Sequence, residues 1–200
     1  MKLTYFTVEN YRSITTAYKI DMHDVTIFVG KNNEGKSNLI KALVLSMEVL
    51  QKMSNVKMRK IPVRMYNWVD DYPVVLQNKN IKDKCTSFRL DFKLSQNEID
   101  EFNNEIGSYI NGDLSIYIKI KEDATLLISA PKKGKNAKAL TRKIILICKF
   151  ICDHFNLQYI PAIRSEKSAY NTISMIVEDE LNQTEDENYK KAVRYIEGFV

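Results

Sequence analysis

Eight residues near the amino terminus have the types and spacing to hold an anion. Gly30-Lys31-Asn32-Asn33-Glu34-Gly35-Lys36-Ser37 fits the pattern G-x-x-x-x-G-K-[ST]. Gly30 and Gly35 admit backbone dihedrals closed to residues with a Cβ, and Asn32 and Asn33 tolerate left-handed geometry better than most. Such a loop can curl until successive N–H groups converge on one phosphate. Lys36 adds a positive charge for the outer phosphates of a nucleotide. The hydroxyl of Ser37 suits Mg²⁺, a hard cation that takes oxygen ligands. Asn38 follows in the first turn of the next helix, whose positive dipole end faces the anion.

Elements of the right kind flank this loop. Val25–Val29 is a continuous apolar run ending at Gly30, which predicts a strand buried on both faces. From Ser37 to Met53 the apolar residues Leu39, Ile40, Leu43, Val44, Met47, Leu50 and Met53 recur at helical spacing. Strand, loop and helix in that order open an α/β domain. Two further strands, Lys2–Glu9 and Ile14–Ile20, precede them.

Downstream, residues 54–82 read as an irregular insertion, basic at Lys57, Arg59, Lys60 and Arg64. Ser87–Leu94 alternates Phe88, Leu90, Phe92 and Leu94, a half-buried strand. Ser95 and Glu98 have capping-box spacing at the start of a helix reaching about Ile106. Leu114–Ile120 and Thr125–Ala130 form a hairpin, and Ala137–Phe155 reads as a helix. Leu157–Ile160 reads as a short buried strand, and two helices, Tyr170–Leu181 and Glu185–Phe199, follow.

Composition bounds the class. The 200 residues are 44% hydrophobic and 28% charged, which excludes disordered and low-complexity classes. No apolar run is long enough for a membrane span, the start lacks a leader's apolar stretch, and three cysteines fit a reduced, cytoplasmic setting. The net charge of +5 is uneven: from Tyr170 onward seven acids face three bases, so the earlier residues carry the positive excess. The densest basic stretch, Lys132, Lys133, Lys135, Lys138, Arg142 and Lys143, is either a nucleic-acid contact or a solvated loop. Cys148 and Cys152, four apart on one helix near His154, read as buried small hydrophobes rather than zinc ligands.

Thr7-Val-Glu-Asn-Tyr-Arg-Ser-Ile14, with Val25 through Leu43, resembles the amino-terminal ATPase lobe of the RecF/SMC/Rad50-type ABC ATPases. Gln158-Tyr-Ile-Pro-Ala-Ile-Arg164 resembles the OLD family, which pairs such an ATPase with a carboxy-terminal Toprim nuclease and often serves anti-phage defence. The resemblance implies an α/β fold: a P-loop ABC-type ATPase lobe with an amino-terminal antiparallel β portion and flanking helices. Residues 1–200 would be the front part of that domain, with 54–135 an insertion and β subregion, and the nuclease beyond residue 200. It also implies ATP on Gly30–Asn38, Mg²⁺ on Ser37, Lys36 as the catalytic phosphate contact and Arg12 beside the nucleotide. Arg12 otherwise reads as a solvated turn residue.

Some family elements have no match in these residues. No adjacent glycine pair offers a signature turn, and Met175-Ile-Val-Glu-Asp179 has its carboxylates in the wrong order for a Walker B strand. No glutamine lies between Pro161 and Asn182, so Arg164 or Glu166 would stand in for a Q-loop. The implied partners are a second copy of the chain or a higher oligomer, DNA or another nucleic acid, and a co-encoded defence protein. A RecF- or Rad50-like repair ATPase without nuclease, and a clamp that binds ATP without turnover, are the alternatives.

Overall fold

The computed structural model describes residues 1–32, 34–55, 58–131 and 137–160. The chain divides into two units, Met1–Leu157 and Gln158–Val200, and the elements below belong to the first. Strand β1 (Lys2–Tyr11) is rich in Leu, Tyr, Phe, Thr and Val, types that fit a pleated, half-buried surface. It turns at Arg12-Ser13 into β2 (Ile14–Asp21) and pairs on its other edge with β3 (Cys85–Lys93). With β4 (Asp113–Lys121) and β5 (Leu126–Ser129) these make a five-stranded antiparallel sheet of order β2-β1-β3-β4-β5. Alternation orients it: β4 buries Leu114, Ile116, Ile118 and Ile120 and exposes Asp113, Lys119 and Lys121.

Helices cover the buried face. α1 (Lys36–Asn55) contributes Ala42, Leu45, Val49, Leu50 and Met53, spaced to share one face. After the one-turn helices α2 (Trp68–Asp71) and α3 (Val74–Gln77) comes α4 (Gln96–Ile106). Its predicted cap forms, with the Glu98 carboxylate accepting from the Ser95 N–H at 2.7 Å and hydroxyl at 2.8 Å. α5 (Ala137–Arg142) and α6 (Ile144–His154) complete the set. Phe150 of α6 meets Phe102 of α4 edge-on, centroids 5.2 Å apart, and both are buried. None of the described helices is long and apolar enough to cross a membrane.

Three expectations need correction. Val25–Val29 forms no strand, and Val25, Ile27 and Val29 are 77%, 77% and 89% exposed. A strand exists only when a neighbour takes its backbone groups; β2 and β3 occupy both edges of β1, and no described strand flanks this run. Leu157–Ile160 likewise forms no strand, and Ile160 is 61% exposed. The single helix expected over Ala137–Phe155 is two, broken at Lys143. The insertion is irregular apart from α2 and α3, as its composition implies, although α1 runs on to Asn55. The helices expected from Tyr170 onward, Met175–Asp179, Arg164 and Glu166 lie outside the described residues.

Candidate nucleotide-binding site

The Gly30–Asn38 loop is held by its own side chains and by the turn between β1 and β2. Gly35 has φ +90°, which side-chain-bearing residues adopt only with strain, and its carbonyl accepts the Leu39 N–H at 2.9 Å as α1 begins. Lys36 heads α1 and folds back across the loop, its ammonium donating to the carbonyls of Gly30 at 2.6 Å and Lys31 at 2.5 Å. The Lys31 N–H donates to Glu34 Oε2 at 2.7 Å. No acid stands in the first turn of the 20-residue α1, whose positive end faces the loop. Ser37 is exposed in that turn, and Asn32 is exposed in the loop. Asn33 lies outside the described residues.

Ser13 joins the loop to the sheet. Its hydroxyl accepts from Asn38 Nδ2 at 2.9 Å, and a Cβ built on Gly35 would stand 3.1 Å from it. Beside it Arg12, at φ 51°, is not a solvated turn residue. Its Nε donates to Asp71 Oδ1 at 2.8 Å, and its N–H donates to the Asp71 carbonyl at 2.6 Å. Asp71 Oδ2 takes the Asn67 N–H at 2.9 Å, and the carboxylate is 7% exposed. The insertion is therefore fastened to the hairpin turn that abuts the loop.

Two clefts flank Ser13. One of about 490 Å³ runs between β2 and the loop, with Phe28, Glu34, Lys36 and Leu39 in its lining. The other, about 640 Å³, lies on the insertion side among Arg12, Asp70, Tyr72, Pro73, Val74 and Val75. The loop brings the Lys36 ammonium and the positive end of α1 to the edge of the smaller cleft, groups that attract an anion.

The basic stretch is only partly visible. Arg142 is exposed, but Lys143 is spent inside the protein, its ammonium donating to the Ile106 carbonyl at the end of α4. That contact satisfies an otherwise unpaired helix-terminal carbonyl. The side chains of Lys132, Lys133, Lys135 and Lys138 lie outside the described residues. Cys148 is buried, and burial pushes its thiol up to about 12, the behaviour of a packed apolar side chain. His154 stacks on Phe150 and pairs with Glu101 at 3.1 Å.

Sequence reasoning missed Ser13 and Asp71. The one available signal was the Asn67–Asp71 run, since Asn67 caps α2 and its N–H then needs an acceptor.

Comparison with known proteins decides the family: a profile of the AAA ATPase domain matches residues 1–197. The chain belongs to that family. The AAA ATPase domain here is 46% identical over 43 residues to an uncharacterized protein of Methanocaldococcus jannaschii. That match covers 22% of this chain and 13% of the relative. Among solved structures it is similar to one described under the ATP-driven dimerization and DNA-stimulated activation of SMC ATPases. The TM-score is 0.51 at 13% identity, covering 88% of this chain and 99% of that one. At that identity the likeness establishes the fold, an α/β ATPase lobe with an antiparallel portion.

Proposed function

We propose that this AAA ATPase domain binds ATP at Gly30–Asn38 as the amino-terminal ATPase lobe of an OLD-like, ATP-dependent endonuclease acting on DNA in anti-phage defence. The observation that carries the nucleotide reading is the Lys36 ammonium folded over the loop at the positive end of α1. An incoming triphosphate exchanges those neutral carbonyl partners for charged oxygens, a stronger hydrogen-bonding set. Mg²⁺ fits the exposed Ser37 hydroxyl as one protein ligand among phosphate and water oxygens, its usual arrangement beside nucleotides. When bound, the ion neutralises charge on the transferring phosphoryl group.

This chain's own residues do the positioning. Gly35 supplies the turn, Lys36 the charge, Ser13 and Asn38 the link to the sheet, and Arg12 one wall of the insertion-side cleft. A Walker B carboxylate would come from later in the chain, a signature turn from a partner subunit would complete the site, and a Toprim domain would cut DNA. The ATP-driven dimerization and DNA stimulation named for the structurally similar SMC ATPase support the dimer and DNA parts of this reading.

The test uses the full-length protein. Lys36→Ala is expected to lower ATP affinity at least tenfold and to abolish phosphate release; unchanged affinity overturns the reading. Phosphate release with and without DNA, and nicking of plasmid DNA, then separate the endonuclease from a repair ATPase without nuclease or a clamp that binds ATP without turnover.

A further inference from the structure

We infer that Glu34 is a positioning residue that braces the phosphate-binding loop from within, an inference that rests on the nucleotide reading above. The brace is reciprocal: the Lys31 N–H donates to Glu34 Oε2 at 2.7 Å, and the Glu34 N–H returns to the Lys31 carbonyl at 3.4 Å. The Lys36 ammonium takes the same carbonyl from the other side at 2.5 Å. Both polar groups of the Lys31 peptide are thus engaged within the loop. A binding loop fixed in advance loses less conformational freedom when its ligand arrives, so the brace strengthens binding without touching the ligand.

Gly30 bears on the same carboxylate. The glycines with positive φ among the described residues are Gly35, Gly107 and Gly112, so Gly30 is not there for a left-handed backbone. A Cβ on Gly30 would instead come within 2.6 Å of Glu34 Oε2. Glycine at position 30 leaves room for the carboxylate of position 34, and a side chain there would expel it from its place on Lys31. The two positions form one device.

The opposing physics is clear as well. A carboxylate beside incoming phosphates repels them, and if that effect prevailed, removing Glu34 would tighten binding. The sign therefore decides. In full-length protein titrated with ATP and Mg²⁺, Glu34→Ala is expected to weaken affinity about fivefold, the worth of one hydrogen bond. Glu34→Gln, whose amide oxygen still accepts the Lys31 N–H, is expected to recover most of that loss. Gly30→Ala is expected to weaken binding in the wild-type background and to add little to Glu34→Ala, because its target is then already gone.

Amide hydrogen exchange of ligand-free protein reads the brace without nucleotide: Lys31 N–H should be protected in wild type and in Glu34→Gln but not in Glu34→Ala. Tighter binding by both Glu34 variants, full additivity of Gly30→Ala with Glu34→Ala, or an unprotected Lys31 amide in wild type would each overturn the inference. Absence of any Lys36-dependent ATP binding would instead overturn the nucleotide reading, while the exchange experiment still judges the brace.

Discussion

Arg12 and Asp71 meet twice, guanidinium to carboxylate at 2.8 Å and backbone N–H to backbone carbonyl at 2.6 Å, across 59 positions of sequence. The double contact explains how an arginine sits at φ 51°, a region sparsely used by residues with long side chains. Strained turns persist where surrounding contacts over-determine them, and they gather at functional sites. Here the strained turn holds Ser13 against Gly35 and Asn38, so the insertion reaches the Gly30–Asn38 loop through Arg12.

Removing the Asp71 carboxylate should therefore be felt at both ends. Asp71→Ala leaves Arg12 Nε and the Asn67 N–H without acceptors and is expected to cost about 1–3 kcal/mol by denaturant unfolding. ATP affinity should fall with it as the turn loosens. Asp71→Asn, which keeps an oxygen, should lose less of both. Equal stability of Asp71→Ala and wild type would mean that the contact carries no energy.

Gly35 is the position where backbone geometry itself demands glycine. A left-handed conformation costs a residue with a Cβ about 1–2 kcal/mol, and an alanine Cβ would also crowd Ser13 Oγ at 3.1 Å. Gly35→Ala is thus expected to weaken ATP binding, and Ser13→Ala in that background should restore only the part due to crowding. Complete restoration would show that the dihedral is unimportant.

Phe150 of α6 is a buried core side chain at the contact with α4. Phe150 is 1% exposed, edge-on to Phe102 and stacked on His154 at 4.1 Å. Phe150→Ala is expected to destabilise by about 3–5 kcal/mol, transfer and cavity costs together. Chemical denaturation measures it, and a loss under 1 kcal/mol would contradict the packing described.

His154 predicts a pH dependence whose sign follows from its neighbours. Burial lowers its pKa, but hydrogen bonds to the Phe150 carbonyl and to Glu101 outweigh that, and the net shift is upward from 6.5. A raised folded-state pKa contributes stability that is fully present below the unfolded value and lost as pH rises through the folded one. The melting-temperature gap between wild type and His154→Gln should therefore be larger at pH 6 than at pH 9. A gap that widens on the alkaline side would refute the assignment.

Much of the fold could be read directly. The α1 periodicity, the alternation of β3 and β4 and the Ser95–Glu98 cap are patterns spanning two to four residues, and each stands where its pattern put it. The Gly30–Asn38 loop is equally local, since its glycines, lysine and helix start lie within nine residues.

What tertiary structure decided are the matters that need a partner far along the chain. Val25–Val29 has strand-forming residues but no strand beside it among the described residues, and backbone pairing is not a property of one segment's own sequence. Arg12 acquired its role only when folding brought Asp71 to it, and Lys143 lost its freedom to the end of α4. Gly30 looked like a backbone requirement, yet it is not among the glycines with positive φ, and what a Cβ there would meet is the Glu34 carboxylate, 2.6 Å away. Sequence by itself determined those elements whose pattern is local (α1, β3, β4 and the cap of α4) and the residue types of the loop, because propensity and short-range hydrogen bonds act over a few residues. Which side chains brace that loop was decided in three dimensions, because contact energy depends on distance in space rather than along the chain.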